Sequence, residues 1–143
     1  MQPEYAEWWF YNLLLLAKLF GEHNLFVDDE CQHLVIIENY PLPPNWRPST
    51  SRLRIDLPPL DQLVYRQPDR FYLNKGLRLA NGRSPAHYFE GTGFNDISTE
   101  GWARYSFHVN YSSWHPLPYP PYGTTFVEVL DALDSSLTEV AEG

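Results

Sequence analysis

The chain has 143 residues, room for one domain spanning 1–143. An apolar fraction of 43% with 16% aromatics is enough for a packed core and excludes a disordered chain. The net charge of -8 and pI near 4.9 exclude the basic face that a nucleic-acid binder needs, and fit a basic protein partner or solubility alone. One cysteine rules out an intramolecular disulfide, so a cytoplasmic, reducing setting is expected. Thirteen prolines point to strands joined by ordered loops more than to a helix bundle.

Residues 4–20 read as a helix. Leu13 to Ala17 are good helix formers and Gly21 is a natural stop. Its aromatic cluster Trp8, Trp9, Phe10 and Tyr11 covers more than one face. Such a helix is either sandwiched against a sheet, the first reading, or forms a partner surface. The apolar run from Trp8 to Phe20 is broken by Asn12 and Lys18 and is too short to cross a bilayer. It lacks the basic lead-in and small-residue cleavage site of a signal peptide, so no membrane partner is expected.

Gln32 to Tyr40 reads as a strand buried on both faces around Leu34 to Ile37, ended by Pro41, Pro43 and Pro44. Arg52 to Leu57 alternates, with Leu53, Ile55 and Leu57 on one face and Arg52, Arg54 and Asp56 on the other. Asp69 to Asn74 is a third strand, which Leu77 to Leu79 continues weakly. Gly82 to Gly101 loses all periodicity and reads as a long loop, a common place for function. Trp102 to Val109 is a short extended segment. Pro116 to Tyr122 reads as polyproline II or a turn, most simply a structural lid. Thr124 to Val140 is an amphipathic helix with Phe126, Val129, Leu130, Leu133 and Leu137 on its apolar face. The expected class is α+β: an N-terminal helix, three strands in a meander, a long loop with a reactive segment, and a C-terminal helix, the helices packed on an antiparallel sheet.

Several ordered pieces carry a resemblance. They are Pro41-Leu-Pro-Pro44, Leu53-Arg-Ile-Asp-Leu-Pro-Pro59, Pro68-Asp-Arg-Phe-Tyr72 and Leu77-Arg-Leu-Ala-Asn-Gly82. Trp102-Ala-Arg-Tyr-Ser-Phe-His108 and Trp114-His-Pro116 complete the set. Over residues 33–137 the set resembles the ubiquitin-conjugating-enzyme (UBC) fold, and most closely the bacterial UBC-like proteins of prokaryotic family E. The wider family places its nucleophilic cysteine eight residues before a Trp-Ser-Pro. Here the same step back from Trp114 reaches Ser106. No His-Pro-Asn precedes the site, and the nearest stand-in for that asparagine is Asn81, 25 residues upstream.

The resemblance implies an acyl carrier. It would accept a ubiquitin-like protein from an adenylating activating enzyme as an oxyester on Ser106, then pass it to an amine of a target the sequence does not name. A metallopeptidase would reverse the linkage. No cofactor and no metal is expected, because the activating enzyme consumes the ATP. The N-terminal helix, with Trp8 and Trp9, would dock that enzyme.

A serine hydroxyl needs an adjacent base. His108 is the first candidate, because residues i and i+2 of a strand share a face, although their Cα atoms lie roughly 6.5–7 Å apart. His115 and His87 are the others. Asn81 or loop amides would stabilise the oxyanion. Trp114 is expected in the core or the site wall, with His115 beside it. Cys31 is expected as a small buried hydrophobe, and His23 and His33 show no zinc spacing with it. The rival reading is an inactive UBC-like adaptor that binds the ubiquitin-like protein or the activating enzyme. A generic serine hydrolase is disfavoured because no Gly-x-Ser-x-Gly elbow is present.

Overall fold

The computed structural model describes residues 3–68, 70–91, 100–107 and 114–142. The fold is α+β: an N-terminal helix, a six-stranded antiparallel sheet and a C-terminal helix. A 3-10 turn, Pro3–Tyr5, leads into α1, Ala6–Phe20, which ends at Gly21 in the left-handed region (φ 90). The strands are β1 Leu25–Asp28, β2 Leu34–Pro41, β3 Trp46–Arg47, β4 Thr50–Asp56, β5 Arg70–Asn74, β6 Arg78–Leu79, β7 Tyr88–Phe89 and β8 Trp102–Tyr105. A one-turn helix, α2 (Leu60–Leu63), follows β4, and α3 (Phe126–Glu142) closes the described chain. The main sheet runs β1-β2-β4-β5-β8-β7, and β3 pairs with β6 in a separate two-stranded sheet. Among the described residues no helix is long and apolar enough to cross a membrane.

The expected meander of three strands is present as β2, β4 and β5, but it is the centre of a larger sheet. β1 was not foreseen. It is four residues long with one polar end, too short for alternation to stand out. Arg78–Leu79 does not extend β5. Gly76 (φ 87) turns the chain away, and the pair adds to Trp46–Arg47 instead. The aperiodic loop after Gly82 also holds β7, which pairs with β8 and covers its outer side.

One face of the sheet builds the core. Val35 and Ile37, Leu53 and Ile55, Phe71 and Leu73, Ala103 and Tyr105 join Trp8, Trp9 and Leu16 of α1 and Phe126, Val129, Leu130, Leu133 and Leu137 of α3 in one cluster. Burying these side chains removes most of their apolar surface from water, the main favourable term in folding. The opposite face is not simply solvated. The Arg52 guanidinium lies 4.1 Å from the centroid of Trp102, and that of Arg54 lies 5.6 Å from the centroid of Tyr72. Arg52 Nε donates to Asn74 Oδ1 at 2.9 Å and Arg54 Nε to Asp56 Oδ1 at 2.8 Å. Arginine stems and flat guanidinium planes thus cover two aromatic rings that would otherwise meet water.

Asn12 explains how the two helices are tied. It is fully buried, gives its Nδ2–H to Trp8 O at 2.8 Å, and accepts the Phe126 N–H on Oδ1 at 2.7 Å. The first turn of α3 therefore has one of its unpaired donors satisfied from another helix. Asn12→Leu is expected to destabilise the fold by about 1–3 kcal/mol, because a buried N–H loses its acceptor. Urea titration measures this, and an unchanged midpoint would contradict the bridging role.

Candidate functional site

Ser106 follows directly on β8. Its N–H donates to His87 O at 2.8 Å, continuing the β7–β8 ladder by one bond. His87 itself sits in the left-handed region (φ 63), a costly conformation for a residue with a Cβ. That bend brings Tyr88 and Phe89 alongside β8 and sets the exposed His87 next to Ser106.

Ser106 is half-buried, not sealed. It lines an open groove of about 580 Å³ between the sheet end and α3. His87, Ser106 and Phe107 form one wall, and Ala132, Ser135, Ser136 and Glu139 of α3 form the other. The α3 wall is made by helical spacing: positions 132, 135, 136 and 139 fall on one face, and three of them are polar or charged. His87 and Glu139 also line an adjoining recess with Ala86, Ser136 and Val140. Phe107 is anchored on Phe71, ring centroids 5.3 Å apart, which fixes the backbone just after Ser106.

Tyr105, buried in the core, ties to the α3 wall of the groove. Its hydroxyl shares a 2.7 Å hydrogen bond with Ser136 Oγ. Burial pushes its phenol above the ordinary tyrosine range, against the lowering effect of the Ser136 bond and with the help of Glu139. It therefore stays uncharged at neutral pH, and among the described residues His87 and Glu139 are the other titratable side chains on the groove. A hydroxyl, an imidazole and a carboxylate thus line one groove, group types from which nucleophile, base and orienting group can be drawn.

The other expected site residues are placed as follows. His108 lies outside the described residues. Asn81 is exposed in the turn after β6, accepts the Arg83 N–H at 3.0 Å, and does not line the groove. Its amide oxygen stabilises its own tight turn. Trp114 is 9% exposed and gives its Nε1–H to Leu63 O at 2.9 Å, with Trp8 and Phe126 edge-on at 6.0 and 6.2 Å. It is a core residue and not part of the groove. His115 is exposed, and its backbone ties to Thr124: N to Thr124 Oγ1 at 2.8 Å, and O accepting from Thr124 N at 3.0 Å.

Those bonds, with the Pro116–Gly123 bridge, close the proline segment into a tight loop. Gly123 is required there, because its φ is 79 and a Cβ would lie 2.6 Å from Leu117 N.

Trp8 and Trp9 pack inside, as the first reading of α1 had it, and do not form its outer surface. They are 0% and 5% exposed, and their indole N–H groups are used internally, by Thr124 O at 2.8 Å and Asp29 Oδ2 at 2.9 Å. The surface of α1 is carried instead by Phe10 (64% exposed), Leu14 (70%) and Leu19 (57%). Cys31 is exposed, not buried. Asp28 Oδ1 accepts the N–H groups of Glu30 and Cys31, and this turn holds the thiol outside the sheet.

Sequence reasoning missed the whole α3 wall. The signal was present as the polar stripe Ser135, Ser136 and Glu139 flanking the apolar face, but nothing in it pointed to Ser106. Comparison of the chain with protein-family models, curated proteins and solved structures returned no match.

Proposed function

We propose that the chain is a UBC-like acyl carrier in a bacterial ubiquitination-like pathway, with Ser106 holding a ubiquitin-like protein as an oxyester. The observation that carries the reading is the setting of Ser106: half-buried, on an open groove, beside His87 and opposite Glu139. The meander β2-β4-β5 after α1 fits the UBC arrangement as well. Ser106 Oγ attacks the activated terminal carbonyl of the ubiquitin-like protein. The new C–O bond forms as the bond to the activating enzyme's leaving group breaks. The hydroxyl proton passes to the His87 imidazole and on to the leaving group. In the second half, an amine of the target protein attacks the ester, a C–N bond forms as the acyl–Oγ bond breaks, and the proton the amine loses passes through His87 to Ser106 Oγ. Glu139 orients the imidazole and stabilises it while it is charged.

Reconstitution with the cognate adenylating enzyme, its ubiquitin-like protein and ATP tests the reading. An adduct that hydroxide cleaves, mapped by mass to Ser106, is the expected result. His87→Ala is expected to slow its formation by roughly 10²–10⁴-fold, the usual contribution of a general base. An unchanged single-turnover rate in that variant would remove His87 from the mechanism.

The adaptor reading has one observation in its favour. The exposed stripe of Phe10 and Leu14 on α1 offers apolar contact to a partner without any need for chemistry at Ser106. Binding of the ubiquitin-like protein or activating enzyme with no adduct, unaffected by Ser106→Ala, would favour it.

A further inference from the structure

A second recess lies away from the Ser106 groove, between the turn that precedes β2 and the segment that follows α2. It is a cleft of about 340 Å³, at the lower end of the volumes that hold small ligands. Its frame is tied together. Leu57 N donates to His33 O at 2.8 Å, His33 is held in the left-handed region (φ 53), and Pro58 and Pro59 stiffen the chain leaving β4. The recess is therefore preformed, and a ligand would not have to order it.

Its charge runs against that of the molecule. The chain as a whole carries -8, with 18 acidic and 10 basic residues. The cleft's one carboxylate among the described residues is Asp56, and Arg54 already neutralises it at 2.8 Å. What remains is Arg66 and Arg70. Arg66 gives only Nη1 to Gln62 Oε1, at 2.9 Å, and its other N–H groups stay available. Arg70 makes no ion pair among the described residues.

We propose that this cleft is a binding site for an oxyanion, a carboxylate or phosphate group, held by the guanidinium groups of Arg66 and Arg70 on the cleft's rim. Planar guanidinium forks match the paired oxygens of both groups. A cation is disfavoured by the two arginines. The site needs nothing from Ser106, so the two proposals fail separately.

Isotope-labelled protein is titrated with inorganic phosphate and, separately, with succinate, each at an ionic strength held constant with sodium chloride. Saturable resonance shifts at His33, Arg66 and Arg70 are expected. Ser106→Ala should bind equally well. Arg66→Gln with Arg70→Gln should weaken binding by about tenfold or more, the loss of two charge-assisted contacts, and Arg83→Gln, outside the cleft, should leave it unchanged. Each arginine is also replaced singly, so that a fold defect in the double variant leaves the test intact. Tighter phosphate binding would assign a phosphate-bearing ligand, and tighter succinate binding a carboxylate. Shifts no larger than those from chloride alone, or equal affinity in the arginine variants, would overturn the proposal.

Discussion

Ser106→Ala is expected to abolish covalent loading of the protein while leaving its fold intact. The side chain is half-buried at the end of β8, and its backbone N–H, not its hydroxyl, makes the bond to His87 O. Removing Oγ therefore deletes the proposed attacking atom without breaking the β7–β8 ladder. Ser106→Cys sharpens the result. A thiol in the same groove is the better nucleophile and the better leaving group, so loading should persist or accelerate. The adduct should then be cleaved by a small thiol as well as by hydroxide, because its acyl group now sits on sulfur. The two variants form a chemical signature: no adduct with alanine, an alkali-labile ester with serine, a thiol-labile ester with cysteine. An adduct that survives Ser106→Ala would place the chemistry elsewhere and remove the carrier reading.

Trp8→Ala should be the most damaging single change in the described core, costing about 3–5 kcal/mol. Trp8 is fully buried and meets Trp9, Trp114 and Phe126 with ring centroids 6.0–6.4 Å apart. It also gives its Nε1–H to Thr124 O at 2.8 Å, the residue that closes the proline loop. The truncation thus opens a cavity where α1, α3 and that loop meet, and removes the indole N–H bond to Thr124 O. For a domain of this size the melting temperature should fall by roughly 10 °C or more. Should the alanine variant fail to fold, Trp8→Phe keeps one ring while removing the N–H and part of the volume, and is expected to cost about 1–3 kcal/mol. Leu14→Ala, on the exposed side of the same helix, should stay within about 0.5 kcal/mol. Equal losses at Trp8 and Leu14 would contradict the packing described above.

The regular elements were legible because their periodicity is local. α1, β2, β4, β5 and α3 each lie within a few residues of the spans expected from apolar spacing, and the alternation in β4 placed Leu53 and Ile55 in the core correctly. The short pieces were not. β3, β6 and β7 have two residues each, and a two-residue strand has no period to read. Its existence depends on a partner strand far along the chain. The exposure of Cys31 was missed because one aspartate, Asp28, organises the turn around it through a side-chain bond that residue type alone does not reveal.

By itself, then, the chain's own order of residues determined the class of fold and the inner face of the sheet, while Ser106 was singled out by a family resemblance. Which groups surround that hydroxyl was decided only by the packing of α3 across the sheet end, which sets Ser135, Ser136 and Glu139 opposite His87. The same packing drew Trp8, Trp9 and Trp114 inward and left Asn81 in its own turn. The physical reason is range. Spacing along the chain reports which side chains share a face, whereas a site needs faces from distant segments to meet, and burial of the apolar core chooses which ones do.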